Sequence, residues 1–196
     1  MQAARKSAAD GPRDALDSLP DASALPWPLY AEAVVELVVD GAHVVLTPVP
    51  DDEVGGAHDG APAVRALSAA LGEPAPPVWV LTAGDPYPHT LSPEENVARN
   101  AALAADVDRL GLRRDPALGR ASDGSTWEVS LAVRGADRAG VLALAAAYDQ
   151  LAVYEISDRI RCVDVASATV VTSVAFRTAT APEGIDALVG PTGWRG

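Results

Sequence analysis

One cysteine, three histidines and a single phenylalanine are all that this chain of 196 residues offers of those types. The lone Cys162 excludes an internal disulfide framework and any multi-cysteine metal site, and it fits a reducing cytoplasm. Lying in an apolar run, it reads as a small buried hydrophobe. His43, His58 and His89 stand far apart at no metal-binding spacing, so no metal is expected. His58 among Asp51, Asp52, Glu53 and Asp59 reads as a solvated acidic loop. Basic residues are also scarce: 15 Lys and Arg face 27 Asp and Glu, for a net charge of −12. Without a surplus of cations to displace counterions, neither a nucleic-acid backbone nor an anionic membrane surface is an expected partner. Every apolar run is broken by charge, Gly or Pro within about ten residues, far short of a membrane span. No Walker loop, dinucleotide fingerprint, G-x-S-x-G elbow, zinc motif or thioredoxin motif occurs, and no cofactor is expected.

What is present is aliphatic. Apolar residues make up 48% of the chain and aromatics only 5%, so Ala, Val and Leu must build the core, each of the four Trp adding a large share of buried area. The length suits one globular domain that needs no disulfide or structural metal. Residues 1–26 carry early basic residues but no continuous apolar segment, so they read as a disordered leader rather than a signal peptide or anchor. The domain is expected over residues 27–176 and a flexible tail over 177–196. A soluble, cytoplasmic protein is expected, and the richness in Ala, Gly, Pro and Arg suggests a high-GC bacterial source.

Two β-rich runs, Ala31 to Val39 and Ala42 to Val49, flank Asp40-Gly41, a strong hairpin signal because both residues tolerate positive φ. Pro50 to Gly60 reads as a loop and Pro62 to Leu71 as a short helix ended by Gly72. Val78 to Ala83 follows as a buried strand. Ser92, Pro93 and Glu95 form a capping-box signature for a helix running to Leu110 and stopped by Gly111. Strands are then predicted at Ala117 to Ser122 and Trp127 to Arg134, a helix from Asp137 to about Tyr148, and strands at Leu151 to Ile156, Ile160 to Val165 and Val170 to Phe176. The order from Val78 to Ile156 is β-α-β-β-α-β. The expected fold class is therefore α+β, a mainly antiparallel sheet with helices on one face, ferredoxin-like at its centre and extended by flanking strands.

In that layout the strand ending at Thr82 lies between the strands opening at Glu128 and at Gln150, and runs antiparallel to both. Thr82, Glu128, Ser130 and Gln150 would gather at one sheet edge, with the N-terminus of the helix carrying Asn96 and Arg99 beside them. The unpaired N–H groups of a helix start would suit a small carboxylate or phosphate there. Glu128 and Ser130 alternate with Val129 and Leu131, so they point to the opposite sheet face, and edge convergence alone does not make one pocket.

The ordered set Thr82-Ala83-Gly84-Asp85-Pro86, Glu95-Asn96 with Arg99, Glu128-Val129-Ser130 and Tyr148-Asp149-Gln150 with Ala152 resembles the bacterial family known as domain of unknown function 3293, over roughly Trp27 to Ser157. The chain departs from that pattern at Gly84-Asp85, where the family favours Trp-Asn, and at Asp149, where it favours Gly. The resemblance brings no established activity.

Three functional readings stand. The first is a small binding or accessory protein whose polar edge, with Thr82, Asp85, Asn96, Arg99, Ser130 and Gln150, recognises a small polar or anionic ligand or a partner's peptide. The second is a hydrolase or transferase with Glu128 as acid/base, His89 as a further general-acid candidate and Arg99 as an anion clamp. Glu128 paired to Arg99 as a structural ion pair is the plainer alternative for those two residues. The third reading is an oligomerising module that uses free strand edges.

Overall fold

The computed structural model describes residues 27–39, 42–49, 77–86 and 89–180. The expected leader, the Asp40-Gly41 turn, the acidic loop with His58, the helix at Pro62 to Leu71, and Tyr87 and Pro88 lie outside the described residues. Helix α1 spans Trp27–Glu32, and strands β1 (Val34–Val39) and β2 (Ala42–Val49) pair antiparallel with Val39 opposite Ala42. Then come β3 (Val78–Leu81), α2 (Pro93–Arg109), β4 (Arg113–Arg120), β5 (Trp127–Arg134), α3 (Arg138–Ala147), β6 (Ala152–Ile156), β7 (Ile160–Asp164) and β8 (Val170–Thr180). Among the described residues no helix is long and apolar enough to cross a membrane.

The strands do not form a ferredoxin-like α+β sheet. They close into an eight-stranded antiparallel barrel in the order β1-β2-β8-β7-β6-β3-β5-β4, with β4 returning to β1. Val78–Leu81 does sit between β5 and β6, as the chain order implies. The sheet simply continues past that arc. The physical reason is visible in β3, whose four residues are all buried. An open sheet covered by helices on one face would leave Val78, Val80, Ala132 and Ile156 in water on the other. Closure instead packs them against Val35, Leu37, Val44, Leu46 and Phe176 in the lumen. The helices cover the outside of the same arc, where Leu103 and Val107 of α2 and Val141 and Leu144 of α3 meet Trp79, Leu131, Val133 and Val153.

Local signals for the helices hold. Ser92 Oγ accepts from Glu95 N–H while the Glu95 carboxylate accepts from Ser92 N–H, closing the capping box, and Gly111 adopts φ +69° just past the end. Asp137 caps α3 through Gly140 N–H at 2.7 Å. Two strands run further than expected. β4 begins at Arg113, four residues before Ala117, in a stretch whose charges and Pro116 mask the strand pattern. β8 continues through Arg177 to Thr180, paired on β2. Helix α1 had no signal of its own. Its Tyr30 packs on the lumen residue Tyr154, ring centroids 6.0 Å apart, and the Tyr154 hydroxyl donates to the Tyr30 carbonyl at 3.2 Å, so α1 lies across one end of the barrel.

Candidate functional site

The end of the barrel beneath α1 holds a cavity of about 600 Å³. Its walls come from the end of β3, the start of β5, the start of β6, the β4–β5 turn and α1. Thr82, Asp85, Glu128, Ser130 and Gln150 all line it. Glu128 and Ser130 share the inward parity of Ala132, so the side of β5 turned away from the helices is the lumen side.

Asn96, Arg99 and His89 are not in the wall. Asn96 Oδ1 accepts from Asp85 N–H at 2.8 Å, and its amide donates to Asp85 Oδ1 at 2.9 Å, fixing the turn after β3. Arg99 donates to the carbonyl oxygens of Ala83 and Tyr148, each at 2.6 Å, stacks over the Tyr148 ring, and lies 3.7 Å from Asp149. It therefore ties the two connections that deliver Thr82 and Gln150, and it forms no pair with Glu128. His89 is exposed. The N-terminus of α2 is occupied by its own capping box rather than presented to a ligand.

Behind the wall, Asn100 performs the most internal bonding. Its Oδ1 accepts from Ala83 N–H at 2.8 Å and from the Thr82 hydroxyl at 3.3 Å, and its amide donates to the Val129 carbonyl at 3.4 Å. The Thr82 hydroxyl also reaches the Val129 carbonyl at 2.8 Å and accepts from Gly84 N–H. Gln150 donates to the Gly84 carbonyl at 2.9 Å. These bonds hold β3, β5 and the entry to β6 in fixed relation.

Glu128 stands apart from this network, its carboxylate having no hydrogen bond or ion pair among the described residues. Glu128 is exposed at the mouth of the cavity, although protein lies close around its carboxyl. That desolvation, with the Asp85 charge second, pushes its carboxyl up to about 7. The aromatic and aliphatic part of the wall, Leu29, Tyr30, Trp127 and Tyr154, was not foreseen as part of a site. The β alternation around Trp127 and Tyr154 was readable, but only closure brings them to the same opening.

Residues 81–153 match the family described as Protein of unknown function (DUF3293). The matched stretch contains the whole polar set from Thr82 to Gln150, so the resemblance expected over Trp27 to Ser157 is shown over this inner part. No curated protein and no solved structure matches the chain. Within the matched stretch the backbone is left-handed at Asp85, φ +35°, and at Asp149, φ +56°. Asp tolerates that region better than most residues, so both positions answer to turn geometry. At Gly84 an added Cβ would come within 3.2 Å of Asn96 Oδ1, so a side chain there requires Asn96 to move.

Proposed function

We propose that this protein binds a small polar ligand in the cavity at the α1 end of the barrel, with Glu128 as the group that orients it. One observation supports this above the others: a carboxylate at the mouth of a cavity of about 600 Å³, within the range of small-molecule sites, that has no side-chain partner among the described residues. Asn100 and Arg99, by contrast, spend their side chains on backbone groups of the fold. The acidic composition argues against a nucleic-acid partner, and the buried free Cys162 is compatible with a cytoplasmic location. The test is a metabolite screen by thermal shift and ligand-observed NMR on the intact chain. Hits lost on filling the cavity with Ser130→Trp are expected, and a screen without hits sinks the reading.

A second reading, in which Glu128 is the acid/base of a hydrolase or transferase, is favoured by its carboxyl lying near 7, where a group can both give and take a proton. Its expected helpers, Arg99 and His89, do not line the cavity. Turnover of a bound hit, abolished in Glu128→Gln, would decide for it. The oligomerising reading loses its basis, because each of the eight strands is paired on both sides and no free edge remains among them.

A further inference from the structure

The donors and acceptors of the cavity wall are unevenly spent. The Thr82 proton is committed between the Val129 carbonyl and Asn100 Oδ1. The Ser130 hydroxyl is directed at the Glu128 carbonyl at 3.4 Å. Gln150 uses its amide N–H groups on the Gly84 and Tyr148 carbonyls, which leaves its Oε1 as the unspent atom. Asp85 Oδ1 already accepts from Leu91 N–H and Asn96, which leaves Oδ2. Both Glu128 oxygens are unengaged. At the inner end of the cavity, what Asp85, Glu128 and Gln150 still have to give is therefore acceptor, while the donors still open, the hydroxyls of Ser122, Ser125 and Thr126 and the Trp127 indole N–H, belong to the β4–β5 turn at the rim.

Charge points the same way. Among the described residues, Glu32, Asp85, Asp123 and Glu128 line the cavity against one cation, Arg120, whose Nε is held by Glu36 at 2.6 Å. The uncharged wall combines hydroxyl residues of the β4–β5 turn, Ser122, Ser125 and Thr126, with an aromatic and aliphatic part in which Trp127 is 57% and Leu29 69% exposed at the rim. Aromatic faces attract cations as well as covering apolar chain. A metal ion is a poor fit to this arrangement, because among the described residues no three His, Cys, Asp or Glu side chains gather to hold one.

We infer that the cavity takes an organic cation, an alkyl- or arylalkyl-ammonium or guanidinium, with its charged head on Glu128 and its apolar arm against Tyr30, Trp127 and Tyr154. The inference rests on the binding role proposed above and specifies its ligand class. A donor-only head matches the unspent acceptors of Glu128, Asp85 and Gln150, and it supplies the positive charge that the barrel end lacks.

The probes are phenethylammonium and butylguanidinium, each beside a neutral alcohol and a carboxylate of the same length, titrated by calorimetry at pH 8. Site occupancy is read from amide shifts of Trp127 and the Gln150 side chain. Both cations are expected to bind at least about tenfold more tightly than their neutral and anionic counterparts. Glu128→Gln should remove that preference, while Asp108→Asn, whose carboxylate pairs with Arg114 outside the cavity, should keep it. Neutral or anionic probes that shift Trp127 and Gln150 as well as the cations do would overturn the cation class and leave the binding role standing. Absence of binding by every probe, with an empty metabolite screen, would remove both. Cation binding that survives Glu128→Gln unchanged would overturn the assignment of the head group.

Discussion

Glu128 shows how one residue type can carry opposite meanings. A buried carboxylate matched to an arginine holds a fold together. A carboxylate walled in without a partner weakens the fold whenever it is charged. Its folded pKa, about 7, lies above the ordinary glutamate value of 4.5, so its contribution is fully present below about pH 4.5 and is lost as pH rises through 7. Because solvent reaches the side chain, the penalty is well below what the full shift would imply, and about 1 kcal/mol is a reasonable size after screening. Urea unfolding should accordingly find Glu128→Gln about 1 kcal/mol more stable than the unmodified protein at pH 8 and equal to it at pH 4. Asn100 is the contrasting case. It is 4% exposed and serves Ala83, Thr82 and Val129 at once. Asn100→Ala strands the buried Ala83 N–H and removes one of two donors to the Val129 carbonyl, and should lower the unfolding free energy by about 2–3 kcal/mol at every pH in the same assay.

At the scale of elements, the helices act as clamps on the ends of strands. The capping box fixes where α2 starts, and Ser92→Ala should cost about 1 kcal/mol, seen as a lower urea midpoint with an unchanged slope. Arg99, one turn further on, reaches across to the Tyr148 carbonyl at the end of α3. Arg99→Ala leaves the Ala83 carbonyl without its side-chain donor and the Tyr148 carbonyl with only the long bond from Gln150, and a loss of about 2 kcal/mol is expected by chemical denaturation. Arg99→Lys should recover little of it, since one ammonium cannot span two carbonyls as a guanidinium fork does.

The whole molecule has two apolar compartments separated by one sheet. Leu46 belongs to the lumen and Leu131 to the layer under the helices, and both are at most 1% exposed. If the closed sheet couples the compartments, Leu46→Ala and Leu131→Ala should each remove about 2–5 kcal/mol from one shared transition. Tryptophan fluorescence and far-ultraviolet circular dichroism should then report the same midpoint in each variant. Two separate midpoints would show that the helical layer and the lumen unfold independently.

Local chemistry was legible along the chain because its causes lie within a few residues. Ser92 with Glu95, Asp137 with Gly140, and Gly111 past the end of α2 each act over one helical turn, and strand alternation from Trp127 to Arg134 needs only the period of two. The polar set from Thr82 to Gln150 was legible for the same reason, and so was the place of β3 between β5 and β6. Barrel closure was not, since it depends on β1 finding β4, with Val35 opposite Gly119 and Leu37 opposite Ala117, across long stretches of chain that carry no local mark of their partner. The division of the polar set followed from closure. Residues on the lumen side of β5 and at the ends of β3 and β6 line the cavity, while Asn96, Arg99 and Asn100, on a helix packed outside, became its support. From the chain alone came the side chains on offer and the starts of the capped helices α2 and α3. Only the tertiary structure decided that Glu128 would face a cavity without a counter-charge, because pairing depends on distance in space and not on separation along the chain.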